Sequence, residues 1–316
     1  MKRKRFTEAR EAGLDAGSYE DRLSRRAFLG AAGGAALTMR AWAATSGASS
    51  TATPPKAAET YATQAKGIRI LPGQWRPHYP WEHIAWVSPP WPSQDYIWLD
   101  FPEAVFTSQG LLFLSHVNPP FPTVFSNLEP VPWERIPDGV RFERMLPNGI
   151  GFGGGVTRAS DTVVALELHI RNGSPEPLAD ITLQTCAFLR AISEFGDYTL
   201  ENKFVHVPGS GWVSMTRALE LPPGAERYRV GWRISGKAVS DLPVAVVVSK
   251  ETDRLMAFTW GEHTLSLVGN PRHPCVHADP QFPDLAPGDA ASIHGRLIFF
   301  EGKLEEFDYL AISRSL

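Results

Sequence analysis

Between Asp161 and Asn172 the chain alternates, with Val164, Leu166, Leu168 and Ile170 on one face and Ala165, Glu167, His169 and Arg171 on the other. A period of two with β-branched residues predicts a half-buried antiparallel strand. Asn172-Gly173 ends it, and Ile181–Leu189 begins the next alternating run. Upstream, Val140–Met145 and Ile150–Thr157 flank Pro147-Asn148-Gly149, and a hairpin is predicted there because Asn and Gly accept positive φ. Further strands are expected at Leu111–Val117, Tyr228–Ile234, Pro243–Ser249, Leu255–Trp260, Thr264–Val268 and Ser292–Phe300, with turns at Leu221-Pro222-Pro223-Gly224 and Leu285-Ala286-Pro287-Gly288. A short helix or single helical turn is expected near Phe188–Phe195. There is no βαβ rhythm. The pattern predicts an all-β fold, a single large antiparallel β-sandwich over residues 67–316.

Composition sharpens this picture. With 43% hydrophobic and 21% charged residues, and 27 Gly, 27 Pro, 17 Phe and 10 Trp among 316, the chain is globular, turn-rich and aromatic-rich. The formal net charge of −3 hides an asymmetry: residues 1–43 carry 9 basic and 5 acidic side chains, so the remainder is distinctly acidic. An acidic body excludes nucleic acid as a partner, since phosphate contacts need a basic face. Ser24-Arg25-Arg26-Ala27-Phe28-Leu29 resembles the twin-arginine export motif; an apolar stretch, Ala27–Met39, and a small-x-small cleavage site, Ala41-Trp42-Ala43, follow it. Residues 1–43 are thus expected to be a signal peptide, 44–66 a flexible linker, and the mature chain periplasmic or secreted. After residue 43 no apolar run is long enough to span a bilayer as a helix.

Two resemblances cover the body. The run Leu166–Leu189, containing ELHIRNGSPEPLADITLQTCAFL, resembles the strand-turn-strand of galactose-mutarotase-like supersandwich proteins. In that family a V-x-N-x-S-x-x-P hairpin leads to a strand carrying a catalytic His. Here Gln184, Thr185 and Cys186 stand where that His is expected, so the resemblance implies the supersandwich fold more than the epimerase activity. PHYPWEHIAWVSPPW, DYIWLDFPEA and HPCVHADPQFPDL resemble signatures of a family of uncharacterised secreted bacterial proteins, a likeness that brings no activity with it.

Candidate chemistry lies in four places. Trp75, Trp81, Trp86, Trp91 and Trp98, with Tyr79, Tyr96, His78 and His83, crowd a proline-interrupted segment expected to be a long ordered loop. Its rings either line a carbohydrate groove, packing on the C–H faces of sugars, or plug the end of the sandwich. His273-Pro274-Cys275-Val276-His277-Ala278-Asp279 puts every second residue on one side if extended. There His273, His277 and Asp279 could hold zinc or copper, or His277 oriented by Asp279 could act as acid–base, although Pro274 and Pro280 should interrupt any ladder. His116 ends a strand before a proline turn, where cleft residues are often found. Arg190, Glu201 and His206 lie in a segment dense in hydrogen-bonding groups, and Gln184 sits in the strand before it. Cys186 and Cys275 are the two cysteines, expected either to form one disulfide or to leave Cys275 as a ligand or reactive thiol.

These residues point to a carbohydrate-active enzyme of hydrolase, lyase or epimerase type, acting on a sugar or other hydroxyl-rich small molecule. His116, His206, His277, Asp279 and Glu201 are its acid–base candidates, and Trp81, Trp86, Trp91, His83, Arg190 and Gln184 its binding candidates. A divalent metal is an open cofactor. A nucleotide is excluded, because no phosphate-binding loop is present, and no serine-hydrolase elbow or zinc-protease helix is either. The alternative is a non-catalytic carbohydrate-binding or scaffold protein, which needs the aromatic groove but no convergence of His and carboxylate.

Overall fold

The computed structural model describes residues 66–221, 228–231 and 239–314. The expected signal peptide, all of the expected linker but Lys66, most of the turn expected at Leu221–Gly224 and the end of the strand expected at Tyr228–Ile234 lie outside the described residues. Two nine-stranded sheets form a large, mainly antiparallel β-sandwich. The first sheet runs β1 (Ile70–Gly73), β2 (Ile84–Val87), β3 (Ile97–Thr107), β9 (Thr182–Phe188), β17 (Cys275–Pro280), β16 (Thr264–Asn270), β12 (Tyr228–Val230) and β13 (Val239–Ser240), with β4 (Gly110–Leu114) also paired to β3. The second runs β11 (Gly211–Ser214), β10 (Lys203–Val207), β14 (Val244–Val248), β15 (Arg254–Thr259), β18 (Ala290–Glu301), β8 (Val163–Asn172), β7 (Ile150–Arg158), β6 (Gly139–Met145) and β5 (Glu134–Ile136). Short helices α1 (Met215–Glu220) and α2 (Tyr309–Arg314) sit outside the sheets.

The core lies between the sheets and is built by the alternation seen in the sequence. In β8, Val164, Leu166, Leu168 and Ile170 are buried while Glu167 and Arg171 are exposed. Leu99, Phe101, Ala187, Val276 and Ala278 meet them from the first sheet, alongside Trp260 and Phe258. The β6–β7 hairpin forms at Pro147-Asn148-Gly149, with Gly149 at φ +86° and Leu146 N–H donating to the Ile150 carbonyl at 2.8 Å.

Three local expectations change. Phe188–Phe195 is not helical: β9 runs to Phe188, and two turns follow, Ile192 N–H to Leu189 carbonyl and Phe195 N–H to Ile192 carbonyl. Those turns carry Leu189, Ile192 and Phe195 into the core. The tryptophan segment is not one long loop, because Ile84-Ala85-Trp86-Val87, within the proline-free interval between Pro80 and Pro89, forms β2. The segment after Pro274 is a strand in the interior of its sheet, paired with β9 on one side and β16 on the other. Pro280 falls at its last residue, where a missing N–H costs the ladder little.

Candidate functional site

Strand register brings distant residues into one row on the outward face of the first sheet. Cys186 in β9 lies opposite Asp100 in β3 on one side and His277 in β17 on the other. Cys275 and Asp279 share the face of His277, as alternation requires, and Gln184 lies one step along β9. Strict alternation would send Asp100 and Glu103 to opposite faces. The register shift of β3 between Asp100 and Ala104 removes that constraint, so the carboxylates of Asp100 and Glu103 and the His116 imidazole stand within 4.8 Å of one another.

The row is roofed by the segment between β1 and β2. Arg76 Nη1 lies 3.0 Å from Glu82 Oε2, 3.0 Å from Asp100 Oδ2 and 3.3 Å from Ser115 Oγ, and its guanidinium stacks on Trp75 at 3.7 Å. Glu82 Oε1 also accepts the backbone N–H groups of Trp75 and Arg76, at 2.5 and 2.6 Å, which pins the roof to its own carboxylate. Arg76, Glu82, Asp100, Glu103, His116, His277 and Asp279 are all buried. So many ionisable groups in a dry place shift one another.

Glu103 is central: Oε1 lies 3.9 Å from His116 Nδ1 and Oε2 3.9 Å from His277 Nε2. Burial pushes its carboxyl up to about 7, opposed by the His277 charge and reinforced by Asp100. For His277, burial works toward the neutral form, but the Cys186 sulfur and the Asp279 carboxylate, 3.3 Å from Nδ1, outweigh it and the net direction is up. His116 is driven well down by burial, then by Arg76 and His273, so its ring is neutral at pH 7.

Glu103 makes the stability of the domain depend on pH. Its unfolded carboxyl titrates near 4.5 and the native one near 7, so between those values the native state binds the extra proton and stability falls as pH rises. Glu103→Gln should therefore gain on the wild type by roughly 3 kcal/mol across that window, and by nothing further below it. Urea melts at pH 4.5 and 8 measure the difference, and a pH-independent gap would contradict it.

His116 is the point where the row meets a cavity. A pocket of about 260 Å³ is lined by His116 with Trp81, Phe121, Phe125 and Leu128 among others. The Trp81 indole N–H is already tied to the Leu114 carbonyl at 3.0 Å, so the ring presents its apolar faces. Ser115 Oγ donates its proton to Asp100 Oδ2 at 2.7 Å, and its 3.3 Å contact with His116 Nδ1 is then one in which the imidazole N–H donates. That tautomer leaves the lone pair on Nε2, a buried nitrogen with no hydrogen-bond partner among the described residues. Asp100 Oδ1 and Gln184 Oε1 are likewise buried without one. Buried polar atoms left open in one cluster are what a ligand or ordered water would satisfy.

The other candidates are dispersed. His206 belongs to the second sheet, with Nδ1 2.6 Å from Asp241 Oδ1 and its ring against Trp212. Glu201 and Arg190 are exposed in loops. His83 is fully enclosed, stacked on Phe142 at 3.8 Å, with its Nε2 accepting from Arg144. Trp91 is a core plug, 2% exposed, whose indole N–H donates to Glu194 at 2.6 Å. Trp86 is half-buried on the outward face, in a row of rings with Tyr96 and Trp98. His273 stacks on Phe188 at 4.3 Å and lies near Trp75. Both cysteines are free thiols. Sequence reasoning missed Arg76, Glu82, Asp100 and Glu103. The Arg and Glu of WRPHYPWE and the acids of DFPE were visible, but no local spacing ties them together.

No protein-family model matches the chain, and no curated protein does. Among solved structures it is similar to a GalM/aldose epimerase homologue from C. elegans, 12% identical over 76% of this chain and 97% of that one, with a TM-score of 0.38. It is similar also to a putative aldose 1-epimerase from Escherichia coli K12, 9% identical over 74% of this chain and 100% of that one, with a TM-score of 0.38. Among the described residues no helix is long and apolar enough to cross a membrane.

Proposed function

We propose that the protein is a carbohydrate-active enzyme that moves a proton on a sugar or related hydroxyl-rich ring in the His116 pocket. The carrying observation is the position of His116, a lining residue of an aromatic cavity whose Nδ1 is held by Ser115 and faces Glu103. A neutral imidazole with an unpartnered Nε2 acts as general base once a small shift of the ring or of its cover brings that buried nitrogen to the ligand, and Glu103, poised near 7, can take up or return the proton behind it. The cavity, about 260 Å³, suits one sugar ring, with Trp81, Phe121 and Phe125 to pack on C–H faces. Epimerase or lyase chemistry fits better than hydrolysis. A glycosidase needs two carboxyls flanking the bond to be cleaved, whereas Asp100 is locked to Arg76 and Ser115. With the export motif at Ser24–Leu29, the reading includes work in the periplasm or outside the cell, reached through the twin-arginine machinery.

The test is a panel of monosaccharides, uronides and oligosaccharides, scored for epimerised or unsaturated products and for ligand-induced melting shifts. Product formation that requires His116 supports the reading; a folded protein inert on the whole panel, with no melting shift, sinks it. A melting shift without turnover would favour non-catalytic carbohydrate binding, for which the row Tyr96–Trp86–Trp98 supplies a surface.

A further inference from the structure

Beside the carboxylate and imidazole row lies a second donor group that the proposed proton chemistry does not use. Cys186, Cys275 and His277 each offer a ligand atom, all within 4.8 Å of one another, and each is at most 2% exposed. The fold explains the convergence. His277 is the cross-strand partner of Cys186, and Cys275 precedes His277 by two residues, so it projects from the same face diagonally across from Cys186.

We propose that Cys186, Cys275 and His277 bind one zinc ion. Two thiolates and an imidazole are a borderline-soft donor set that matches zinc, and two thiolates balance its charge. The surroundings are those of a metal ligand. Asp279 Oδ1 lies 3.3 Å from His277 Nδ1, the carboxylate arrangement that orients a ligating imidazole and leaves Nε2 for the metal. Asp279 is itself fixed by the Thr185 backbone N–H at 3.1 Å and by Ser266 Oγ at 3.4 Å. On the outer side Trp75, Trp98 and Phe188 pack against the two sulfurs and exclude water. Tetrahedral zinc holds its donors roughly 3.3–3.8 Å apart, so the three side chains need only close in by about 1 Å. Glu103, whose Oε2 is 3.9 Å from His277 Nε2, lies beside this trio but outside it, so the fourth position is left to water or another small donor.

The neighbouring trio Asp100, Glu103 and His116 is equally compact but does not fit a cation in the same way. Arg76 already places a positive charge 3.0 Å from Asp100. The set expected from the sequence, His273, His277 and Asp279, is thereby redistributed. His277 becomes a ligand, Asp279 its orienting carboxylate, and His273 part of the aromatic cover.

Bound zinc would draw Glu103, 3.9 Å from His277 Nε2, toward its carboxylate form, so the pH dependence given for Glu103 is that of the metal-free protein and the test here reads metal rather than turnover. Full-chain protein made in zinc-supplemented medium and dialysed under reducing conditions is assayed by elemental analysis, then stripped and titrated with Co²⁺ as a spectroscopic probe. One zinc per chain and a thiolate-to-cobalt charge-transfer band are expected. Cys186→Ser and Cys275→Ser should abolish the band, His273→Ala should keep it, and Asp279→Asn should weaken zinc binding by about 10- to 100-fold. If the serine variants fail to fold, the cobalt spectrum of the wild type decides by itself. Folded, reduced wild type with substoichiometric zinc and no charge-transfer band overturns the proposal, as does stoichiometric copper in place of zinc. A Cys186–Cys275 disulfide that persists in protein isolated without reductant overturns it too.

Discussion

Arg76→Ala should lower the stability of the domain by about 3–5 kcal/mol, the cost of leaving buried charges without their partner. Arg76 is 4% exposed and its Nη1 joins Glu82, Asp100 and Ser115, so its loss strands two buried carboxylates and a hydroxyl at once. The same change removes the stack on Trp75, and with it the contact that seats the roof on the first sheet. For a domain of this size the thermal midpoint should fall by on the order of 10 °C. The penalty is electrostatic, so it should shrink as pH falls toward 5, where carboxyls freed of the guanidinium protonate in the native state. Arg76→Lys should recover part of it: a point charge replaces the fork and the stack is lost. Denaturant melts of the three proteins at pH 5 and 8 read all of this. A loss below about 1 kcal/mol at pH 8 would mean that water, not the guanidinium, compensates Asp100 and Glu82.

His116→Ala should reduce turnover of whichever sugar the panel identifies by about 10²–10⁴-fold, the usual contribution of a positioned general base. The fold should survive, because His116 makes contacts at 3.3 and 3.9 Å rather than short hydrogen bonds, and its Nε2 holds no partner. The effect should fall on kcat more than on KM, since Trp81, Phe121 and Phe125 still line the pocket. Added imidazole, small enough for the space the variant opens, should restore part of the rate. Circular dichroism and the melting midpoint separate this from misfolding. Unchanged kcat in a folded His116→Ala protein would remove the residue from the chemistry and move the pocket to a binding role.

The division between what is local and what is not explains how the site could be half read beforehand. Alternation is a property of neighbouring residues, so the sequence by itself determined that Val164–Ile170 packs inward and that Asn148-Gly149 turns a hairpin, and it put Cys275, His277 and Asp279 on one face only on condition that the segment is extended. It determined too that the body is mainly antiparallel β, because short alternating runs between turn residues bury one face most readily in hairpin-linked sheets. Which strands become neighbours is settled by pairing between segments far apart in the chain, and periodicity carries no record of it. Only the tertiary structure therefore set Cys186 between Asp100 and His277. It alone shifted the register of β3 so that Asp100 and Glu103 meet, and it laid the segment carrying Arg76 and Glu82 over them. The pKa of Glu103 belongs to the same class: its residue type sets about 4.5, and about 7 arises from burial beside other charges, which exists only once those strands have come together.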